Sequence, residues 1–311
     1  MNVISRRRFL EATLALPLAA GLPFWVWVRP ARATGARPLV VEAQGEPEPA
    51  LKLLLEALGG MGRFVKPGAR VLIKPNMSFP SPPPQASTTN PKLVAAVIRQ
   101  CLEAGAREVL VADHPMRSGR LCLEWTGMKE ACGGFREVHL LAADREEMYQ
   151  EVALSGTRVL KSVKILRAAL KADVLINLPQ MKSHSATTVS LGTKGNMGLI
   201  WDRACFHGQL DLNEAIGDLN TRIRAQLTIL DGSRVLTAGG PLGPGPVEET
   251  RCLIGGTDPV AVDACGVQRV SWYGRVTRPD EIAHLAACGK RGIGEIDPER
   301  VELTVRKTPE T

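Results

Sequence analysis

The chain has 311 residues, 4% aromatic residues and a formal net charge of +7. Residues 1–33 hold five arginines and one glutamate, so they carry +4 of this charge and leave +3 on the rest of the chain. Because that remainder has few aromatic side chains and no dense basic tract, the composition argues against a nucleic-acid-binding protein.

The N-terminus is typical of a protein exported by the twin-arginine machinery. Residues 5–10 read S-R-R-R-F-L, which matches the pattern S-R-R-x-F-L. An apolar segment follows over 12–28, and A-R-A at 31–33 resembles a signal-peptide cleavage site. We therefore predict a signal peptide over residues 1–33 and a periplasmic or other extracytoplasmic location. In the alternative, the segment is not cleaved and anchors the protein, and membrane contact is confined to it.

Residues 34–311 alternate strand-like and helix-like runs, and we expect them to form a single α/β domain. The strands predicted from short apolar runs are 39–43, 70–74, 108–112, Val174–Leu178, 227–230 and 251–254. The helices predicted from periodicity and capping residues are 49–58, 91–104, 166–171, 210–224, 259–270 and 280–288. Repeated β-α-β order with apolar strands indicates a mostly parallel β-sheet with flanking helices.

Polar residues follow several of these strands. Lys74 ends one strand and precedes Asn76, and Asp113 follows another. Lys182 and His184 come soon after Val174–Leu178, and Asp231 follows 227–230. Since ligands of open parallel sheets bind beyond the carboxyl ends of the strands, these residues predict a ligand cleft at that edge.

The segment 173–207 is the strongest candidate for a binding site. It combines Lys194, Gly195, Asn196 and His207 with the lysine and histidine at 182 and 184. Cations and flexible backbone suit a small anionic ligand, which backbone N–H groups of the glycine-rich part would help to bind. Neither a Walker motif nor G-x-G-x-x-G occurs in the sequence, so a nucleotide is poorly supported.

We assign the candidate residues three kinds of role. Lys74, Lys182 and Lys194 bind the anion, and Asn76 and Asn196 orient it, with Gly195 and His207 beside them. His184 transfers a proton, because the ordinary pKa of imidazole lies near neutrality. Lys182 and Asp231 complete the catalytic set, with Asp231 positioning a base or a metal.

A cofactor is not identified by the sequence. His184, Cys205 and His207 are candidate metal ligands, although their spacing matches no diagnostic metal motif. The seven cysteines form no C-x-x-C, so a ferredoxin-type iron–sulfur cluster has no support. A metal therefore stays open.

Several motifs together resemble one family. They are V-L-I-K-P-N at 71–76, A-D-V-L-I-N-L-P-Q-M-K-S-H at 172–184, K-G-N-M-G at 194–198, L-T-I-L-D-G at 227–232 and G-T-D-P-V-A-V-D at 256–263. In these the chain resembles the domain-of-unknown-function family 362 (DUF362), over about residues 38–297. Some members carry an added ferredoxin-like segment, which is absent from this sequence, so their iron–sulfur label is not carried over. The family implies no reaction.

The sequence therefore predicts an exported protein that binds, and in one version transforms, a small carboxylate or phosphate. The alternative is a non-catalytic periplasmic protein that binds or matures a metal, an iron–sulfur centre or a redox cofactor.

Overall fold

The fold is built on a large, mostly parallel β-sheet, seen in a computed structural model that describes residues 36–309. The predicted signal peptide lies outside these residues. The strands of the main sheet are β1 (Leu39–Gln44), β2 (Arg70–Pro75), β3 (Glu108–Asp113), β4 (Val138–Ala142), β7 (Val174–Leu178), β8 (Gln180–His184), β9 (Thr188–Ser190), β10 (Leu227–Leu236), β11 (Val247–Glu248), β12 (Cys252–Gly256) and β13 (Glu302–Lys307). A separate antiparallel pair is formed by β5 (Tyr149–Ala153) and β6 (Ser162–Leu166).

The order of strands along the sheet is β13-β1-β12-β10-β7-β2-β3-β4. The strands from β10 to β4 all run parallel, and β12 is antiparallel to both of its neighbours. From β2 the chain proceeds to one side, through β3 and β4, whereas from β7 it proceeds to the other, through β10. The chain order therefore reverses between β2 and β7, and the carboxyl ends of such a pair leave a crevice between their outgoing loops.

Helices cover both faces of the sheet. They are α1 (Pro47–Ala57), α2 (Pro91–Glu103), α3 (Gly119–Trp125), α4 (Met128–Gly133), α5 (Arg167–Lys171), α6 (Gly192–Gly195), α7 (Arg203–Gly208), α8 (Leu212–Arg222), α9 (Pro259–Gln268) and α10 (Ala283–Lys290). Because side chains alternate along a strand, Val71 and Ile73 of β2 join the core beneath α1 and α2, while Leu72 joins the core beneath α8. No helix within 36–309 has the length and apolar character needed to span a bilayer.

Sequence pattern located most of the elements that form the sheet. Predicted strand Val174–Leu178 has the bounds of β7, and Asn90 caps α2 by accepting a hydrogen bond from the backbone N–H of Lys92. The predicted strands do not include the edge strand β13 or the strand β8, which follows Pro179. The strand at 227–230 also proved longer, since β10 continues to Leu236.

Candidate functional site

A small cavity opens at the carboxyl ends of β2 and β7, where the chain order reverses. Its volume is about 280 Å³, and its cationic and imidazole lining comes from Lys74, Lys182, Lys194, Arg203, His184 and His207. Lys74 and Asn177 are register partners on β2 and β7; Lys74 lines the cavity, and Nδ2 of Asn177 donates a hydrogen bond to the carbonyl of Gly192. No carboxylate is among the described residues that line this cavity.

Lys74 is fully buried at the end of β2. Its Nζ lies 3.4 Å from Oδ1 of Asp113, at the end of the neighbouring strand β3, and Arg203 lies 3.6 Å from the same oxygen. The other oxygen of Asp113 accepts hydrogen bonds from the backbone N–H of Met77 and the hydroxyl of Ser78. Burial lowers the pKa of Lys74, and the charge of Asp113 opposes that shift. One carboxylate is thus shared between two cations.

Lys182 and His184 reach the cavity because they are two residues apart on β8, where side chains alternate. The Lys182 ammonium donates a hydrogen bond of 2.5 Å to the carbonyl of Ser87. Burial, and then the charge of Lys74, lower the pKa of Lys182 to about 7. In the ligand-free protein this amine is therefore only partly charged at neutral pH.

Lys194 extends into the cavity from α6 and is 8% exposed. Its amine has neither a hydrogen bond nor an ion pair with any residue in the described part of the chain. Burial, followed by the charges of Arg203 and Lys182, lowers the pKa of Lys194 to about 7. The charged form of the Lys194 amine therefore has no counter-ion among the described residues.

The histidines lie side by side at the cavity, with ring centroids 6.0 Å apart and planes within 17°. The backbone N–H of Ala186 donates to Nδ1 of His184, so the neutral ring carries its hydrogen on Nε2. Burial, and then the charge of Lys194, lower the pKa of His184 to about 2. The ordinary imidazole pKa on which the proton-transfer role was based is therefore lowered here by burial, the neutral ring offers Nε2–H as a donor, and proton transfer by His184 stays a prediction. His207 is exposed at the cavity mouth.

In the glycine-rich segment, the backbone N–H groups of Gly192, Thr193 and Gly195 already have acceptors within the protein. The N–H groups of Gly192 and Thr193 donate to the buried carboxylate of Asp263, at 2.7 and 2.8 Å. Gly195 lines the cavity, but its N–H donates to the carbonyl of Leu191. The chain therefore supplies its own acceptors for these groups, and the positive charge at the cavity comes from its lysine and arginine side chains.

The two candidate asparagines separate in the structure. Asn76 lines the cavity, and its Oδ1 accepts a hydrogen bond from the backbone N–H of Gln180, which fixes the start of β8. Asn196 instead points into the interior, where its Nδ2 donates to Oδ1 of Asn220 on α8. Orientation of a ligand by Asn196 is not supported by this geometry.

Asp231 does not line the cavity, so the structure does not bring it together with the other candidate catalytic residues. Because β10 continues to Leu236, Asp231 lies in the middle of a strand and not at its end. Its carboxylate accepts hydrogen bonds from the backbone N–H of Asn90 (2.6 Å) and from Ser233 (backbone N–H, 3.1 Å; hydroxyl, 2.6 Å). Asp231 therefore fastens the start of α2 to the sheet.

The candidate metal ligands do not converge. Cys205 and His207 lie two residues apart on the helix α7, which directs them to different sides, and Sγ of Cys205 is 3.6 Å from Oε1 of Gln209. The residues between 36 and 309 contain no group of three or more His, Cys, Asp or Glu side chains placed to hold a metal ion. All seven cysteines are free thiols, and six of them are buried.

Arg203 belongs to the site but was not predicted. Its guanidinium donates to the carbonyls of Met197 and His114 as well as pairing with Asp113. The position of Arg203 in the sequence indicates a place in the site, because it lies between the K-G-N-M-G motif and His207 in the candidate binding segment 173–207.

The chain is similar in sequence to known proteins. It belongs to the DUF362 family, whose model, described as a domain of unknown function, matches residues 71–268. A thylakoid-associated protein of Synechocystis sp. (strain ATCC 27184 / PCC 6803 / Kazusa), sll1697, is 31% identical over 221 residues, which is 69% of this chain and 67% of that protein. The lactate racemase apoprotein of Thermoanaerobacterium thermosaccharolyticum is similar with a TM-score of 0.46 and 16% identity, over 81% of this chain and 60% of that one.

Proposed function

We propose that this protein is exported and binds a small anionic ligand, a carboxylate or a phosphate, in the cavity between the ends of β2 and β7. The observation that carries the proposal is the lining: it contains three lysines and one arginine, and the one carboxylate paired with any of them among the residues described, Asp113, contacts only Lys74 and Arg203 of these four cations. Coulomb attraction between unit charges about 4 Å apart is worth about 4 kcal/mol at an effective dielectric constant near 20. A ligand with one or two negative charges would offset the repulsion among the lysine and arginine side chains of the cavity.

Binding of an anion should be linked to proton uptake. Without a ligand, the pKa of both Lys182 and Lys194 is about 7, because burial and neighbouring cations disfavour the charged amine. A bound anion favours the charged form of the amines that it contacts and raises their pKa values. The affinity is then highest below about pH 7 and decreases as the pH rises above this value.

Calorimetric titration with phosphate and with acetate at pH 8, in two buffers of different ionisation enthalpy, tests the proposal. We expect binding that consumes protons, and Lys182→Met should weaken it at least tenfold, which corresponds to about 1.4 kcal/mol. The matched control is Lys52→Met, which alters an exposed lysine on α1. Equal affinity in wild type and Lys182→Met would contradict the proposed site.

Export rests on the N-terminal pattern, which lies outside the described residues. Replacing Arg6 and Arg7 together by lysine should retain the full-length precursor in the cytoplasm, because the twin-arginine pair is the feature that the export machinery reads. Cell fractionation of a tagged protein provides the measurement, and Arg37→Lys, beyond the predicted cleavage site, is the control. Unchanged export of the double variant would contradict this part of the proposal.

A further inference from the structure

Among the amines of the cavity, that of Lys194 is the one without an assigned partner. The Lys74 amine faces Asp113 at 3.4 Å, and the Lys182 amine donates to the carbonyl of Ser87. Lys194 has no such partner in residues 36–309, although it is almost completely buried. Three other cations, including Arg203, are close enough to act on its charge.

These surroundings give Lys194 a chemical property besides charge. Because its pKa is lowered to about 7, about half of its amine is unprotonated at neutral pH, against about one part in 2,500 for a lysine of ordinary pKa. An uncharged amine binds an anion poorly, but it is a good nucleophile toward a carbonyl carbon. Desolvation beside other cations is a recognised way to activate a lysine for imine formation.

We propose that Nζ of Lys194 is a nucleophile that forms an imine with the carbonyl carbon of a small oxo acid, whose carboxylate is held by the neighbouring cations. The inference rests on the proposed function, since it requires the same anion site, and it specifies the class of ligand. The cavity volume of about 280 Å³ limits the ligand to a compact molecule.

The proposed step balances without an oxidant or a reductant. The lone pair of Nζ forms a C–N bond, the carbonyl π pair moves to oxygen, and the proton lost by nitrogen goes to that oxygen, which gives a carbinolamine. The ammonium of Lys182 then supplies a proton to the hydroxyl group, the C–O bond breaks and water leaves. The product is a protonated imine, Lys182 is left as an amine, and solvent later returns its proton. The donor Nε2–H of His184 is available to hydrogen-bond the ligand's oxygen atoms.

Reductive trapping on the folded, full-length chain tests this inference. The protein is incubated at pH 7 with glyoxylate and sodium cyanoborohydride, which reduces imines to stable amines, and the modified lysines are located by peptide mapping. We expect a single carboxymethyl group at Lys194, formed on the order of a hundredfold faster than at the exposed Lys52. Acetate, an anion without a reactive carbonyl, should slow the labelling by competing for the same cations.

The control variants are Lys194→Arg, which should lose the label, and Lys52→Arg, which should keep it. Mapping of the wild-type chain does not depend on how either variant folds. Labelling spread evenly over exposed lysines, or located at Lys182, would overturn the inference. If acetate and phosphate bind but glyoxylate leaves Lys194 unmodified, imine formation fails and the anion site stands; if no anion binds, both proposals fail.

Discussion

Gly198 packs directly against the side chain of Lys74. A methyl group on the α-carbon of Gly198 would stand 2.3 Å from Cε of Lys74 and 2.0 Å from Oδ1 of Asp113. Both distances are shorter than real carbon contacts allow, so the buried ion pair occupies the space that a side chain would need. The last glycine of the K-G-N-M-G motif is thus explained by close approach to the charged residues, and not by backbone flexibility.

Gly198→Ala should therefore destabilise the protein by about 1–3 kcal/mol, because the added methyl group displaces the pair formed by Lys74 and Asp113. It should also weaken phosphate binding. Urea denaturation and calorimetric titration provide the two measurements. Gly133→Ala in α4 is the matched control, since a methyl group there meets no atom within 4 Å. If both variants have the stability of the wild type, the packing argument is wrong.

The stability of the ligand-free protein should depend on pH in a definite direction. Folding lowers the pKa of Lys182 and of Lys194 from 10.5 to about 7, so between these values the unfolded chain binds more protons than the folded one. The free energy of unfolding then increases as the pH rises from about 7, and the full burial penalty is present below that pH. Buried thiols such as Cys101, whose pKa is raised to about 12, act in the opposite direction above about pH 8.5.

We expect the rise between about pH 7 and pH 8.5 to be smaller in Lys182→Met, in which one of the two groups no longer titrates. Urea unfolding at several pH values, in buffers free of carboxylate and phosphate, measures it. Lys52→Met should retain the slope of the wild type. An identical slope in wild type and Lys182→Met would show that Lys182 is fully charged in the folded protein.

Asp263→Asn should loosen the helix that presents Lys194. The two carboxylate oxygens of Asp263 accept hydrogen bonds from Gly192 and Thr193. An amide in place of this carboxylate offers only one oxygen and directs its NH₂ group toward a hydrogen-bond donor. We expect a loss of about 1–3 kcal/mol of stability and weaker phosphate binding. Asp211→Asn is the control: Asp211 caps α8, and Asn caps a helix about as well. Equal effects of the two substitutions would remove the special role of Asp263.

Asp231→Asn should separate a structural from a catalytic role. The substitution removes one acceptor for the N–H of Asn90 or the hydroxyl of Ser233, so unfolding should become easier by about 1–3 kcal/mol. Phosphate affinity of the folded variant should be unchanged, because Asp231 is outside the cavity. Thermal denaturation followed by calorimetric titration below the melting range gives both quantities. A tenfold loss of affinity with unchanged stability would show that Asp231 acts in ligand binding and is not only structural.

The sequence predicted the sheet and part of the site because both depend on local pattern. A run such as Val174–Leu178 is buried on both faces and reads as a parallel strand, and residues that follow such strands meet at one edge. On this basis the sequence predicts that Lys74, Lys182 and Lys194 lie together, and the structure places all three at one cavity.

The features of the fold and of the site that the sequence did not predict depend on contacts between residues that are distant in the chain. Asp263 accepts hydrogen bonds from backbone N–H groups of the glycine-rich segment, which lies 71 residues away in the chain. Because the sequence does not show this contact, it predicts that those N–H groups are available to an anion. The continuation of β10 past Asp231 follows from its pairing with β12 and β11, which the sequence does not show. Cys205 and His207 would share one face only in an extended chain, and the structure places both on the helix α7.

The cations of the cavity come from four separate segments: β2, β8, α6 and the start of α7. Lys74 and Arg203 are brought to one carboxylate although 129 positions separate them in the chain. The hydrogen-bonded strands and the helices packed behind them therefore hold these charges together against their mutual repulsion. In the unfolded chain this repulsion disappears. An anion of the right size would contact these four segments together and would stabilise this edge of the protein against the repulsion of their charges.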